Sequence, residues 1–309
     1  MIRLMTIGLI SGGFFSATFV LNRIMSLSGG HWFWSAALRY GYMLVFLGAG
    51  IALFRGWPFF KSVLIELWRH LLFWIISGSV GFGAFYALIC FSADHSPGWV
   101  VATTWQLTIL SSLFVLMGFG RRFPKRIWAW ALVVFTGVCL VNVSHFEITT
   151  LKPILMGAVP VIGAAFCYPL GNQLVWEAKT GRRGVPKIEG FVLDNAFAKV
   201  FLLSAGSIPF WGILYLGIAP GPPSSGQWVN TALVALLSGV VATSLFLYAR
   251  GCADTPVKLA AVDATQCSEV VFALAGEIFF LGAGLPNFMG MSGIVITGLG
   301  LAAFARSSA

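Results

Sequence analysis

The sequence predicts an all-α polytopic membrane protein in which ten transmembrane helices form two inverted five-helix repeats around a central cavity. Three observations predict this fold class: the composition, the regular spacing of apolar runs, and an internal repeat. Of the 309 residues, 58% are hydrophobic and only 9% are charged. Soluble domains carry about 25% charged residues. The chain is therefore too apolar to be an ordinary soluble protein.

Apolar runs of about 20 residues, the length that crosses a bilayer as a helix, recur along the whole chain. Turn-forming segments such as SLSGG and APGPPSSG separate them. The first run begins like a signal peptide but is longer than a signal-peptide core, so we interpret it as a retained span. The predicted spans are 4–24, 32–54, 70–92, 98–119, 127–144, 153–175, 193–217, 228–250, 257–281 and 288–305.

The Lys and Arg residues fall almost entirely on one side of a ten-helix alternation. Only Lys152 falls on the other side, while Arg23, Arg39 and Lys199 lie within spans. The positive-inside rule then predicts a multi-pass protein of a bacterial-type cytoplasmic (inner) membrane with both termini in the cytoplasm. Topology also accounts for the net charge of +9, so no nucleic-acid partner is implied. The cytoplasmic set is Arg3, Arg55, Lys61, Arg69, Arg121, Arg122, Lys125, Arg126, Lys179, Arg182, Arg183, Lys187, Arg250, Lys258 and Arg306.

Two segments of the chain match each other at an offset of about 160 residues. The first runs from SGSVGFGAFY to ATTWQ around the third and fourth spans, and the second runs from SGVVATSLFLY to VDATQ around the eighth and ninth. The match predicts two halves, 1–145 and 146–309, of five helices each. Because five is odd, the second half enters the membrane from the opposite face, as in the inverted repeats of many secondary transporters.

The ninth predicted span carries three acids, Asp263, Glu269 and Glu277, within an apolar run. An acid at the centre of a spanning helix costs about 2.5 to 3.5 kcal/mol. At about 100° per residue these acids and Gln266 share one helix face. One interpretation is that they pair with cations on neighbouring helices and hold the bundle together. The other is a polar stripe that lines an aqueous cavity and binds protons and substrate.

The chain resembles the ten-helix branch of the drug/metabolite transporter superfamily, and within it the putative multidrug resistance efflux transporter family. The segments that carry the resemblance are FFSATFVLNRIMSLSGGHWFWSAALRY, GFGAFYALICFSADHSPGWVVATTWQLTI and DATQCSEVVFALAGEIFFLG. The resemblance covers nearly the whole chain. It implies a helical bundle with a central cavity, and export of small molecules coupled to an ion gradient.

Further polar and aromatic residues within the spans are candidates for the cavity wall. Arg39 and Lys199 either pair with carboxylates or serve as gates or contacts for a substrate anion. Asp194 is expected to pair across helices rather than with Lys199. The amides of Gln106, Asn22 and Asn172 either join helices or line the cavity. The aromatic candidates, which suit a flat or cationic ligand, are Trp105, Tyr86, Tyr168 and Trp34.

The leading functional hypothesis is a secondary active transporter that exports small amphipathic or cationic molecules by proton antiport, with Glu269 as the alternating carboxylate. The alternative is an exporter of amino acids or other zwitterionic metabolites in which Arg39 or Lys199 binds the substrate carboxylate. An enzyme is not expected, because no metal-binding or Walker-type motif is present. No cofactor or metal is predicted. One chain can enclose the cavity, which favours a monomer and leaves a dimer open.

Overall fold

The computed structural model is a bundle of α-helices and describes residues 2–145, 154–179, 181, 184–188, 190–252, 262 and 265–308. In the first part of the chain a π-helical segment, Ser79–Ala84, joins the fourth and fifth helices. The helices here are α1 (Ile2–Leu27), α2 (Trp32–Arg55), α3 (Trp57–Arg69), α4 (Leu71–Gly78), α5 (Phe85–Ala93), α6 (Gly98–Trp105), α7 (Thr108–Gly118) and α8 (Lys125–His145).

The second part of the chain continues with eight further helices. Two more π-helical segments occur, Ile154–Ala158 and Ala235–Ala242, and the 3₁₀ turn Thr265–Cys267 leads directly into a helix. The helices are α9 (Val159–Ala178), α10 (Gly190–Leu193), α11 (Ala196–Gly206), α12 (Ile208–Ile218), α13 (Ser225–Val234), α14 (Thr243–Gly251), α15 (Ser268–Leu281) and α16 (Phe288–Ser308).

Within the described residues, nine helical stretches are long and apolar enough to cross a membrane. They correspond to nine of the ten predicted spans. Of the remaining span, 257–281, the structure describes residue 262, the turn Thr265–Cys267 and α15. Large apolar side chains such as Phe54, Leu216 and Phe279 are at least 80% exposed, as a surface in contact with lipid requires. The predicted all-helical polytopic fold is confirmed. Lys152, Arg182, Arg183, Lys258 and Asp263 lie outside the described residues.

Helix α3 lies in a segment for which the sequence predicts only a linker between two spans. It is a short amphipathic helix, in which Val63 is buried whereas Trp57 and Trp68 are exposed. Lys61 and Arg69 also lie on it. Aromatic and basic side chains on a two-sided helix are typical of helices that lie in the membrane interface.

A turn lies near the middle of one span and another lies at the start of α15, at positions that the internal repeat relates to each other. In the span Gly98–Gly118, α6 ends at Trp105, and Gln106 and Leu107 form a turn before α7 begins. Gln266, the repeat-equivalent of Gln106, lies in the 3₁₀ turn before α15. Discontinuous spanning helices are a recurrent feature of transporter binding sites. These two turns therefore mark the region of the bundle where a binding site is expected.

The π-helical segments Ser79–Ala84 and Ala235–Ala242 also occupy spans that the internal repeat relates. Helix packing follows the same relation. Helix α1 packs against α14, α15 and the segment Ala235–Ala242, while α9 packs against α5, α7 and the segment Ser79–Ala84. Helix α2 packs against α11, and α8 packs against α16. Each of these contacts joins one predicted half of the chain to the other, so the space between the halves is enclosed by both.

Glycines allow α4 and α11 to approach each other until their backbones are in contact. A Cβ atom on Gly206 of α11 would collide with the carbonyl oxygen of Trp74 on α4. A Cβ atom on Gly78 of α4 would likewise collide with the carbonyl oxygen of Leu203. Small residues at such crossings let helices gain van der Waals contact in a lipid environment, where burial of apolar surface gives no driving force.

Candidate functional site

A cavity of about 1180 Å³ lies between helices of both predicted halves. Its wall extends from Arg39, near the start of α2, to Phe123, between α7 and α8. It therefore reaches the end of the bundle that holds the beginning of α1 and stops short of the other end. The polar residues of its wall are Thr18, Arg39, Gln106, Thr108, Ser112, Asn172, Lys179, Lys199, Thr243, Gln266 and Glu269.

Arg39 lies at the closed end of the cavity. Its Nη2 donates to the Ser238 hydroxyl at 2.9 Å, and its Nη1 donates to the Thr18 hydroxyl at 3.4 Å. Its guanidinium carbon stands 4.2 Å from the centre of the Tyr86 ring. Asn22 donates to the Tyr86 hydroxyl from behind, at 3.1 Å. The arginine is thus held by hydroxyl groups and an aromatic face.

Beyond Arg39, packed aromatic rings and hydrogen bonds between the halves close the bundle. The Tyr40 ring stacks on Trp211 with centroids 5.6 Å apart. Gln227 donates to the His31 carbonyl oxygen at 2.9 Å and to the Ser35 hydroxyl at 3.1 Å. These contacts join α2 to α12 and α13. They form the seal between the cavity and the end of the bundle where α2 begins.

Glu269 lies in the first turn of α15, directly after the 3₁₀ turn that carries Gln266. It lines the cavity and is only 6% exposed. Among the described residues, nothing donates a hydrogen bond to its carboxylate or forms an ion pair with it. The neighbouring Ser268 packs directly on Gly12 of α1. The carboxylate therefore stands in the cavity wall, while its neighbour Ser268 packs against the first helix.

Three aromatic rings form a continuous wall in the same cavity. The centroid of Phe85 lies 4.9 Å from that of Trp105 and 5.0 Å from that of Tyr168. Trp105 and Tyr168 are 5.6 Å apart. Gln106 follows Trp105 at the interruption of the span. Such a wall can hold a flat ligand by stacking, or a cation over the ring faces.

Lysines surround the open end of the cavity. Lys179 and Lys199 both line it. Lys179, directly after α9, forms an ion pair with Asp194 at 2.7 Å. This hydrogen bond and the positive charge of Lys179 hold the pKa of the Asp194 carboxyl below its ordinary value. Asn172, also in the wall, donates to the carbonyl oxygen of Tyr168 at 3.0 Å.

Nine of the thirteen candidate site residues line this cavity, and three others lie elsewhere. Asn22 stands behind Tyr86, as described above. Trp34 donates from Nε1 to the carbonyl oxygen of Gly221 at 2.5 Å, near the sealed end. Glu277 lies two helical turns beyond Glu269. The remaining candidate, Asp263, is not among the described residues. The nine are Arg39, Tyr86, Trp105, Gln106, Tyr168, Asn172, Lys199, Gln266 and Glu269.

Glu277 interacts with the start of α6. Its Oε1 accepts a hydrogen bond from the backbone N–H of Gly98 at 2.5 Å, so it satisfies one of the free N–H groups of that helix end. The side chain is 1% exposed. It borders a separate cavity of about 320 Å³ together with His145. Arg23 lies close enough to interact electrostatically with Glu277 and Asp94.

The chemistry of the large cavity suits an organic molecule better than a metal ion. Within the described part of the chain, no three His, Cys, Asp or Glu side chains group together in a way that could hold a metal. Each of the five cysteines is free. The wall instead combines one carboxylate, amides and cations with aromatic rings, the usual mixture of an organic ligand pocket.

The sequence does not single out several residues at the site. Thr18, Phe85 and Lys179 line the cavity, and Ser238 lies behind the wall, where it accepts a hydrogen bond from Arg39. Ser238 carried a signal, because it aligns with Ser77 in the internal repeat. Thr18 and Phe85 look like ordinary residues of apolar spans, so only their positions in space distinguish them.

The chain matches the EmrE family model, described as "Putative multidrug resistance efflux transporter", over residues 2–309. The chain belongs to this family. The predicted resemblance is thereby confirmed for nearly the whole chain, and the EmrE-family match indicates a transporter of small molecules in a membrane.

The chain is also similar to two further proteins and to one solved structure. The EmrE-family chain is 39% identical to the Bacillus subtilis (strain 168) protein YjlA, described as uncharacterized, over 98% of this chain and 95% of that protein. It is 34% identical to an uncharacterized 42.1 kDa protein of Shouchella clausii, over 80% of this chain and 64% of that protein. A crystal structure titled "Crystal structure of protein" matches with a TM-score of 0.59 and 18% identity over 98% of this chain and 97% of the other, which shows a shared fold.

Proposed function

We propose that this EmrE-family protein exports small amphipathic or cationic molecules in exchange for protons, with Glu269 as the carboxylate that binds each in turn. The observation that carries the proposal is the buried Glu269 carboxylate, which lines the large cavity and has no protein partner among the described residues. A buried carboxylate without a partner is stable only when it binds a proton or a cationic ligand.

The aromatic wall supports a cationic or flat cargo. Phe85, Trp105 and Tyr168 present ring faces to the same space as Glu269. A lipophilic cation gains stacking and cation–π contact from such rings, and the carboxylate neutralises its charge. Binding the proton and the cargo at one carboxylate makes them compete. This competition is what an exchange of one for the other requires.

Alternating access is supported by the two halves, 1–145 and 146–309, which pack reciprocally around the cavity. Under the positive-inside rule, the open end with Lys179 and Lys199 faces the cytoplasm of a bacterial-type inner membrane, as do both termini. The conformation is then inward-open, and the seal around Tyr40 and Gln227 is the outer gate. One chain encloses the whole cavity, so a monomer can carry out the cycle.

The test is transport by the purified protein in vesicles with an imposed pH gradient. A fluorescent lipophilic cation is the probe, and the Glu269→Gln variant is compared with wild type. We expect wild type to move the probe against its gradient while protons flow the other way, and the variant to lose this proton-driven flux. A non-transporting scaffold would give no flux with either protein.

Glu277→Gln is the matched control, because it changes a second buried glutamate on the same helix, outside the large cavity. The glutamine keeps an acceptor oxygen for the N–H of Gly98. We expect proton-driven flux to persist in this variant. Flux at the wild-type rate in Glu269→Gln would refute the proposed role of Glu269.

A further inference from the structure

Arg39 and Arg23 are the two arginines within the predicted spans of the first half, and they differ in their charged neighbours. Arg23 donates to the carbonyl oxygen of Ala93 at 2.8 Å and lies in the field of Glu277 and Asp94. The described ion pairs are Glu66 with His70 and Asp194 with Lys179, so neither includes Arg39. The Arg39 guanidinium therefore has no carboxylate partner in the described part of the chain.

Arg39 also retains hydrogen-bonding capacity. Its two described hydrogen bonds use Nη1 and Nη2, and its Nε is buried without a partner. The acceptors, the hydroxyls of Thr18 and Ser238, carry no charge. A buried guanidinium that meets only neutral groups is costly, and charged groups within spans are usually paired. Because Arg39 lines the cavity, a ligand can supply the missing negative charge.

We propose that Arg39, with Thr18 and Ser238, is a subsite for an anionic group of the transported molecule. Resting on the proposed function, this defines the cargo as a molecule with two charges: a cationic group at Glu269 and a carboxylate or similar oxyanion at Arg39. The fork of guanidinium N–H donors matches the two oxygens of a carboxylate.

The two subsites lie at different positions along the cavity. Arg39 donates to Thr18, and Ser268, next to Glu269, packs on Gly12. Thr18 and Gly12 are six residues apart on α1, which corresponds to about 9 Å along the helix axis. A cargo that reaches both subsites therefore carries its two charges apart from each other, and the aromatic wall lines the same cavity.

The experiment measures equilibrium binding to the purified full-length protein in lipid nanodiscs. The probes are ω-aminoalkanoates from aminobutanoate to aminodecanoate, compared with alkylammonium ions of the same carbon number. We expect affinity among the aminoalkanoates to peak at one chain length, at which the ammonium group reaches Glu269 while the carboxylate reaches Arg39. We expect Arg39→Gln to weaken binding at that peak by about thirtyfold or more, and Arg39→Lys to restore part of it.

The alkylammonium ions separate this proposal from the proposed function. They should bind equally well to wild type and Arg39→Gln, and should lose affinity in Glu269→Gln. If alkylammonium ions bind to Glu269→Gln as well as to wild type, the role of Glu269 is contradicted. If aminoalkanoate binding is unchanged in Arg39→Gln, only the anion subsite is overturned. Lys199→Gln removes a different cavity cation and should leave the optimum unchanged; loss of binding there instead would assign the anion to the open end and overturn the proposal.

A competition measurement on wild type needs no variant. Alkanoates without an amino group should displace the best aminoalkanoate, because both require Arg39, and should leave bound alkylammonium in place. If alkanoates do not compete with the aminoalkanoate, the anion subsite does not exist.

Discussion

Gln106 and Gln266 both lie in turns that directly precede a helix, one between α6 and α7 and the other immediately before α15, and both line the same cavity. The internal repeat relates these two glutamines by sequence. Backbone groups freed at such turns, together with the amide side chains, give the cavity uncharged hydrogen-bonding groups in addition to Glu269 and Arg39.

Replacing either glutamine by alanine should weaken cargo binding while leaving the fold intact. Gln106→Ala and Gln266→Ala should each lower the affinity for a lipophilic cation by about threefold to thirtyfold, the range expected for hydrogen bonds within a membrane protein. The measurement is titration of the purified variants. Gln173→Ala is the control, because Gln173 is buried against Glu177 and lies outside the cavity wall. Wild-type affinity in both glutamine variants would contradict this role.

Glu277 and Glu269 should respond differently to substitution, although both are buried acids of α15. Glu277→Ala removes the acceptor for the Gly98 N–H, so we expect it to destabilise the protein by about 1 to 2 kcal/mol, as for other helix caps. The protein that remains folded should still show proton-driven flux. Thermal unfolding in detergent and transport in vesicles measure the two effects. Normal stability with lost proton coupling would place Glu277 in the transport mechanism instead.

The close approach of α4 and α11 should make Gly206 intolerant of any side chain. Gly206→Ala should destabilise the protein by about 1 to 3 kcal/mol, because the methyl group meets the rigid Trp74 carbonyl. Gly212→Ala on the adjacent α12 is the matched control, since nothing lies within 4 Å of that Cβ position. Thermal unfolding of the two variants should differ accordingly. Equal stability would mean that the helices are further apart in solution.

The ion pair between Lys179 and Asp194 should make stability depend on pH on the acid side. The pKa of Asp194 is lower in the folded protein than its ordinary value of about 3.9, so the folded state favours the ionised form. This contribution is fully present above the ordinary pKa and is lost as the pH falls through the folded-state value. Asp194→Asn should flatten that part of the profile, as measured by thermal unfolding from about pH 6 to about pH 3. An unchanged profile would show that the pair contributes nothing.

The membrane class could be predicted from the sequence because apolar run length and basic residue placement act directly on how a chain inserts. The family could be predicted from the resemblance of three segments of the chain. The turn at Gln106 could not be predicted, since no sequence signal marks it inside its apolar run. The face predicted for Gln266 together with Glu269 and Glu277 assumed one continuous helix. In the structure the 3₁₀ turn precedes Glu269, and Glu277 lies about 12 Å further along α15, beside the start of α6.

The residues around the cavity illustrate the same limit. Of the nine candidates that line it, six carry amide or charged side chains, which are unusual within an apolar span and can be recognised from sequence alone. Trp34 points instead to Gly221 near the sealed end, because its distance along α2 places it beyond Arg39. Thr18 and Ser238 can be identified only from the packing of α1, α2 and the segment Ala235–Ala242, which brings both hydroxyls to the guanidinium of Arg39.

The central claim is that one carboxylate, Glu269, exchanges a proton for a cationic cargo. The most direct measurement is the number of protons released when a lipophilic cation binds to the purified protein in weakly buffered solution, repeated at several pH values. The account predicts that wild type releases about one proton per bound cation on the acid side of the profile, and that Glu269→Gln releases none. Equal proton release by wild type and Glu269→Gln would contradict it.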